Sequence, residues 1–149
     1  MPLTDEEKKR AVRKQLDAFN RHNEGDYVAE FTTSCKVIDI PTGDKLAGKD
    51  GAREFFRRWS NAFPDGKTTI HDELVSDDTV VVLFTGEGTQ KGPLGPFPPS
   101  NKRAKLEFAS ITKLDSQGKA EEVTNYYDQL SLLMQLGHVP MPSAAGTSR

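Results

Sequence analysis

The stretch GAREFFRRWSNAFPDGKTTIHDELVSDDTVVVLFT, residues 51–85, changes its hydrophobic period halfway along, and that change sets the fold class. In its first half Ala52, Phe55, Phe56, Trp59 and Phe63 recur at i, i+3, i+4, i+7 and i+11, the wide apolar face of an amphipathic helix running from about Asp50. Pro64-Asp-Gly66 stops it. Residues 67–75 and 79–85 then read as two strands around a Ser-Asp-Asp turn. The second, Thr-Val-Val-Val-Leu-Phe-Thr, carries apolar side chains on both faces and is expected to be covered on both sides.

Outward from this stretch the same division holds. Upstream, Thr4 and Glu7 form a capping box, and Val12, Leu16 and Phe19 continue a helix as far as Asn23-Glu-Gly25. Its lysines and arginines fall mostly on the opposite, solvated face. Residues 26–31 predict a short helix, and residues 35–40 a strand ended by Pro41-Thr-Gly-Asp44. Downstream, residues 104–114 and 119–127 form a hairpin around Asp115-Ser-Gln-Gly118, with a bulge or bend expected near Ala109. A leucine-rich helix follows at residues 130–136. Helices first and an antiparallel sheet afterwards make an α+β fold. The Gly- and Pro-rich connection at residues 90–102 carries Leu94 and Phe97, and reads either as a flap over a sheet end or as an ordered surface loop. One domain is expected over residues 1–137, with residues 138–149 a loose tail.

Several classes of chemistry find no support. With Lys+Arg 20 against Asp+Glu 22, the net charge of −2 provides no field for nucleic acid. No apolar run reaches the roughly 18 residues of a membrane span, and single Cys35 with an N-terminus unlike a secretory signal predicts the cytoplasm. His22, His71 and His138 are isolated, which argues against a metal. Neither a P-loop nor a full dinucleotide fingerprint is present, so no cofactor is expected. What remains is Asp128, a carboxylate where a strand rich in tyrosine meets the last helix. Capping of that helix is one reading, because an aspartate there accepts from free N–H groups of the first turn. The other is a proton acceptor at a pocket wall, where shielding from water raises a carboxyl pKa.

Blocks spread over most of the chain resemble the SnoaL-like polyketide cyclase family, within the wider NTF2-like fold. They are Phe63-Pro-Asp65, Gly88-Thr-Gln-Lys-Gly-Pro93 with Pro98-Pro-Ser100, the turn Asp115-Ser-Gln-Gly-Lys119, and Asp128-Gln-Leu-Ser-Leu-Leu-Met-Gln-Leu-Gly137. Phe19-Asn20 and residues 48–55 add weaker matches. The resemblance implies a cone-shaped roll, helices on a strongly curved antiparallel sheet around an apolar pocket, commonly as a homodimer. It places Asp128 on the family's catalytic aspartate, which acts as general acid/base in an intramolecular aldol closure with neither metal nor organic cofactor. The family's histidine is Gln90 here, an amide that cannot titrate, and Thr124 stands where many relatives carry tryptophan. The expectation is an enzyme acting on a small, largely apolar carbonyl compound, with Asp128 as acid/base and Gln90 orienting an oxygen. Asn20, Trp59, Phe108 and Tyr126 are expected at the pocket wall. The alternatives are a non-catalytic binding or dimerisation module, and a dehydratase, isomerase or epoxide hydrolase on the same scaffold.

Overall fold

A computed structural model describes residues 2–140; residues 141–149, most of the expected tail, lie outside the described residues. The elements run α1 (Asp5–Asn20), α2 (Glu24–Ala29), β1 (Phe31–Asp39), β2 (Asp44–Ala47), α3 (Gly48–Ala62), β3 (Lys67–Ser76), β4 (Thr79–Thr89), β5 (Arg103–Leu114), β6 (Ala120–Tyr127) and α4 (Gln129–Gln135). The capping box at α1 forms in full: Glu7 N–H donates to the Thr4 hydroxyl at 3.1 Å, and Thr4 N–H to the Glu7 carboxylate at 2.8 Å. In α3 the stripe predicted from spacing buries Ala52, Phe56, Trp59 and Phe63, with Phe55 half-buried, and Ala62 is buried beside it.

The strands form one curved, unclosed sheet in the order β2-β1-β6-β5-β4-β3. It is mixed, which corrects the expectation of a wholly antiparallel sheet. β1 runs parallel to β6, with Val37 opposite Val123 and Asp39 opposite Asn125, and the other pairs are antiparallel. β2 was not expected; it begins at Asp44, the last residue of the segment read as a turn, and runs to Ala47.

A second correction concerns the bend. β4 and β5 pair without interruption from Thr79↔Lys113 to Thr89↔Arg103, so no bulge occurs at Ala109. Register shifts lie instead between Ile70 and Asp72 in the β3–β4 pair, between Phe31 and Lys36 in β1–β6 and between Lys113 and Leu114 in β5–β6, and Ile111 simply points outward by strand alternation.

α1, α2 and α3 cover one face of the sheet. The core lies between, built from Val12, Ala18, Val28, Phe31, Val37, Ala52, Phe56, Val80, Val82 and Phe84 among others. A smaller cluster joins Trp59, Ala62, Phe63, Leu94, Leu106, Leu132 and Leu136, so the 90–102 connection is held as an ordered loop with Leu94 packed between α3 and α4. Its backbone is tied down as well, with Lys91 and Gly92 N–H donating to Ala62 C=O and Leu94 bridged to Phe97. The other face of the sheet is uncovered, contrary to the expectation for β4. Leu83 is 38% exposed there, and Leu74, Ile111, Tyr126 and Ile40 are exposed beside it.

Candidate functional site

A cavity of about 100 Å³ opens between α1, α3 and the covered face of the sheet. Its walls are mainly aromatic and aliphatic: Val12, Leu16 and Phe19 from α1, Phe55 and Trp59 from α3, Phe84, Leu106 and Phe108 from the sheet, and Leu132 from α4. Trp59 is the hub. Its indole meets Phe55, Phe63, Phe108 and Tyr127 at centroid distances between 5.3 and 6.3 Å. Gly86 makes room for one wall, since a Cβ there would stand 2.8 Å from the Phe108 ring.

Polar groups in this wall are few, and each comes from regular structure. Gln15 is presented by α1 one turn after Val12, in the middle of the apolar stripe. Ser110 on β5 and Asn125 on β6 are opposite one another in register and share the inner face. Gln15 Nε2, Trp59 Nε1 and Asn125 Nδ2 are buried without any hydrogen-bond partner among the described residues. Such donors are costly to leave unpaired in an apolar surrounding. Tyr27 also reaches the wall, and burial pushes its phenol pKa above the ordinary value, so it is a neutral hydroxyl throughout the physiological range. Charge is confined to Lys67 and Glu87, cross-strand neighbours in the lining.

Of the six residues expected at the site, Trp59 and Phe108 line this cavity. Asn20 does not; its amide clamps α1 to β3 through Thr68, accepting from Thr68 N–H at 2.7 Å and donating to Thr68 C=O at 3.0 Å. Tyr126 points to the uncovered face, one residue out of phase with the inward row Val123, Asn125 and Tyr127. Gln90 is fully buried away from the cavity lining, with its amide committed. It donates to the carbonyls of Gly92 at 3.1 Å and Phe97 at 3.3 Å, and its oxygen meets His138 Nε2 at 2.7 Å. That clamp fixes the loop to the segment after α4. Asp128 is the N-cap of α4: it is exposed, its carboxylate accepts from Ser131 N–H at 3.0 Å, and its surroundings are a shallow depression shared with Leu83, Glu107, Ala109 and Tyr126. Sequence reasoning missed Gln15, Ser110 and Asn125, although a glutamine at i+3 within an apolar stripe was a visible signal for the first.

Next to Asn125 on the parallel neighbour sits Asp39, the last residue of β1, wholly buried. One oxygen, Oδ2, accepts from the Tyr127 hydroxyl and the Thr42 hydroxyl, each at 2.8 Å, and from Arg58 at 3.4 Å. Arg58 in turn reaches Asp44 at 2.7 Å. Burial first, then the nearby Asp39 carboxylate, holds the Tyr127 phenol pKa far above its ordinary value. Among the described residues no group of three or more His, Cys, Asp or Glu is arranged to hold a metal ion.

Comparison with known proteins agrees with this architecture. A protein described as a SnoaL-like polyketide cyclase, from Jannaschia sp. CCS1, superposes with a TM-score of 0.82 at 19% identity, over 94% of this chain and 99% of that one. TsrD from Streptomyces laurentii gives 0.81 at 24% identity, over 92% and 99%. A protein with a ketosteroid isomerase-like fold from Catenulispora acidiphila DSM 44928, in complex with trimethylamine, gives 0.74 at 17% identity, over 85% and 92%. At these identities the likeness speaks for the fold. A search of the curated proteins gave no match. The family model for SnoaL-like polyketide cyclases matches residues 9–136, nearly the whole described chain, and the protein belongs to that family.

Proposed function

We propose that the protein binds a small, largely apolar carbonyl compound in the cavity and acts on it by cofactor-independent acid/base chemistry of the polyketide-cyclase type. The observation that carries this reading is the set of three unpartnered donors, Gln15 Nε2, Trp59 Nε1 and Asn125 Nδ2, in a wall built mainly of aromatic and aliphatic side chains. Apolar walls with a few polar groups are the usual composition of a small-molecule site. Carbonyl oxygens of a ligand would satisfy these donors, and rotation about the soft terminal torsions of Gln15 (χ3) and Asn125 (χ2) would aim the two amides. The same donors would act in catalysis. In an aldol closure negative charge builds on a carbonyl oxygen, and prepositioned neutral donors stabilise it more in the transition state than in the ground state. Holding both reacting ends of one flexible molecule lowers the entropic part of the barrier.

A second reading, a binding module without turnover, is favoured by one feature: Glu87 is the single carboxylate in the cavity lining, and Asp128 serves as a helix cap outside it. We also propose a homodimer through the uncovered sheet face. Leu74, Val81 and Ile111 lie in register across β3, β4 and β5, and Leu83, Ala109 and Tyr126 across β4, β5 and β6, making an apolar patch of the kind that marks an interface.

The test is thermal unfolding, followed by Trp59 fluorescence, against a panel of polyketide-like, steroid-like and smaller carbonyl compounds and their carbonyl-free hydrocarbon counterparts. A carbonyl ligand at about a hundred times its Kd stabilises by roughly 2.7 kcal/mol, several degrees for a domain of this size. Hydrocarbons that stabilise as well as the matching carbonyl compounds would sink the recognition argument. Chromatography of incubated hits then separates turnover from binding alone.

A further inference from the structure

We propose that Asp39, rather than Asp128, is the carboxylate that serves the cavity, receiving a hydrogen-bond donor of the ligand on its Oδ1 oxygen; this rests on the ligand-binding reading above. The two oxygens of Asp39 are treated very differently. Oδ2 is held by Tyr127, Thr42 and Arg58, which fix the carboxylate plane, whereas Oδ1 is buried with no partner among the described residues. A carboxylate needed only to anchor Arg58 and Tyr127 has no reason to keep one oxygen both buried and idle, because an unpaired charged acceptor away from water is among the costlier defects a fold can carry.

The position of that oxygen gives the idleness a use. Asp39 and Asn125 are opposite one another across the parallel β1–β6 pair, and Asn125 is opposite Ser110 across β5–β6. Side chains in register share a face, so carboxylate, amide and hydroxyl form one row, in which Asn125 and Ser110 line the cavity and Asp39 stands outside that lining, next to Asn125. Within the row an unpaired acceptor, Asp39 Oδ1, stands beside an unpaired donor, Asn125 Nδ2. The chemical group that matches both is one that gives and takes a hydrogen bond: a neutral hydroxyl or the enol of a β-dicarbonyl. The ligand class is thereby narrowed to an apolar carbonyl compound bearing a second oxygen with a proton on it. For an enolisable ligand, the proton leaving the carbon between two carbonyls passes to Oδ1, and the electron pair left behind delocalises onto the oxygen held by Asn125. Closure forms the new carbon–carbon bond from that enolate, and the alkoxide it generates takes the proton back.

The experiment compares three probes of one skeleton, 1-tetralone, 6-hydroxy-1-tetralone and 6-methoxy-1-tetralone, titrated into the full chain with Trp59 fluorescence and calorimetry as readouts. A hydrogen bond to a charged acceptor predicts that the hydroxy compound binds roughly tenfold or more tighter than the other two. The methoxy compound, equal in reach but without a proton, is expected to gain nothing. This comparison needs no variant, so it stands even if substitutions at Asp39 fail to fold. Where Asp39→Asn folds, the preference is expected to vanish, and Asp128→Asn is expected to keep it. Equal affinities for all three probes in the wild type would overturn the proposal and assign Asp39 and Asn125 to each other as a structural pair. Binding of none of them overturns the ligand-binding reading and this inference together.

Discussion

Replacing Gln15 with leucine is expected to make the ligand-free protein more stable and the ligand-binding protein worse. Gln15 lies within the buried stripe of α1 and is 5% exposed, with Nε2 unpartnered among the described residues. Leaving a buried donor unpaired costs about 1–3 kcal/mol, and leucine removes the donor while filling a similar volume. Leucine and glutamine have nearly the same helix propensity, so α1 itself contributes little to the difference. The Thr4–Glu7 capping box, three turns away, is untouched. The net expectation is a gain of about 1–3 kcal/mol, or roughly 2–12 °C in Tm at the 2–4 °C per kcal/mol usual for a domain of this size. Urea unfolding followed by far-UV circular dichroism and by the fluorescence of Trp59, the one tryptophan of the chain, measures it. The same variant is expected to bind a carbonyl ligand several-fold to tenfold more weakly, the worth of one buried hydrogen bond. Stability traded for a binding site in this way is a recurrent property of functional pockets. A loss of more than about 1 kcal/mol in Gln15→Leu would mean that the amide is a paired member of the core, and the case for the cavity donors would fail.

Asp128→Ala is expected to lose about 0.5–2 kcal/mol by urea unfolding and Asp128→Ser almost nothing, as a cap accepting from Ser131 N–H requires. The carboxyl of Asp65 has a pKa below the usual range, chiefly because Thr89 N–H donates to it at 2.7 Å. Its contribution is therefore complete above the ordinary carboxylate pKa of about 3.9 and is lost as pH falls through the lower folded value, so the stability difference between wild type and Asp65→Asn is expected to shrink in unfolding curves taken in steps below that pH. Gly86→Ala drives a Cβ to 2.8 Å from Phe108 and is expected to cost about 1–3 kcal/mol in Tm or urea midpoint, with weaker ligand binding as the ring is displaced. If the proposed homodimer forms through the uncovered sheet face, Ile111→Lys is expected to convert it to a monomer in sedimentation equilibrium while leaving the circular dichroism unchanged.

The helices were legible because their signals are local. The Thr4–Glu7 box and the spacing from Ala52 to Phe63 each lie within a few turns of one segment, and both elements formed as read. The mixed sheet was not, because the pairing of β1 with β6 joins residues on opposite sides of most of the chain, as with Asp39 and Asn125. Nor was β2, four residues whose alternation is too short to stand out from a turn. The missed wall residues have a narrower cause. Strand side chains alternate, so choosing Tyr126 instead of its neighbour Asn125 put the expectation on the opposite side of the sheet. Counting inward from Val123 would have corrected it.

Polar residues pose a harder problem than parity, and the three acidic or amide positions show why. The resemblance puts Gln90 at the family's histidine, yet its contacts are with Gly92, Phe97 and His138, the last 48 positions away. Asp39 carried no motif at all, and it is Arg58 and Tyr127, 19 and 88 positions away, that turn it into a fixed carboxylate with one idle oxygen. Asp128 carried the strongest motif, and its nearest donor is the backbone of Ser131, three residues on. A motif records which residue types recur at a place in the chain. The chemistry of a carboxylate depends instead on what fills its two oxygens and on which side of the strand it leaves. In this fold those are decided by the register of β6 against β1 and β5. That register sets Asp39, Asn125 and Ser110 in one row, and Asn125 and Ser110 face the cavity. It leaves Asp128, the first residue past the end of β6, outside.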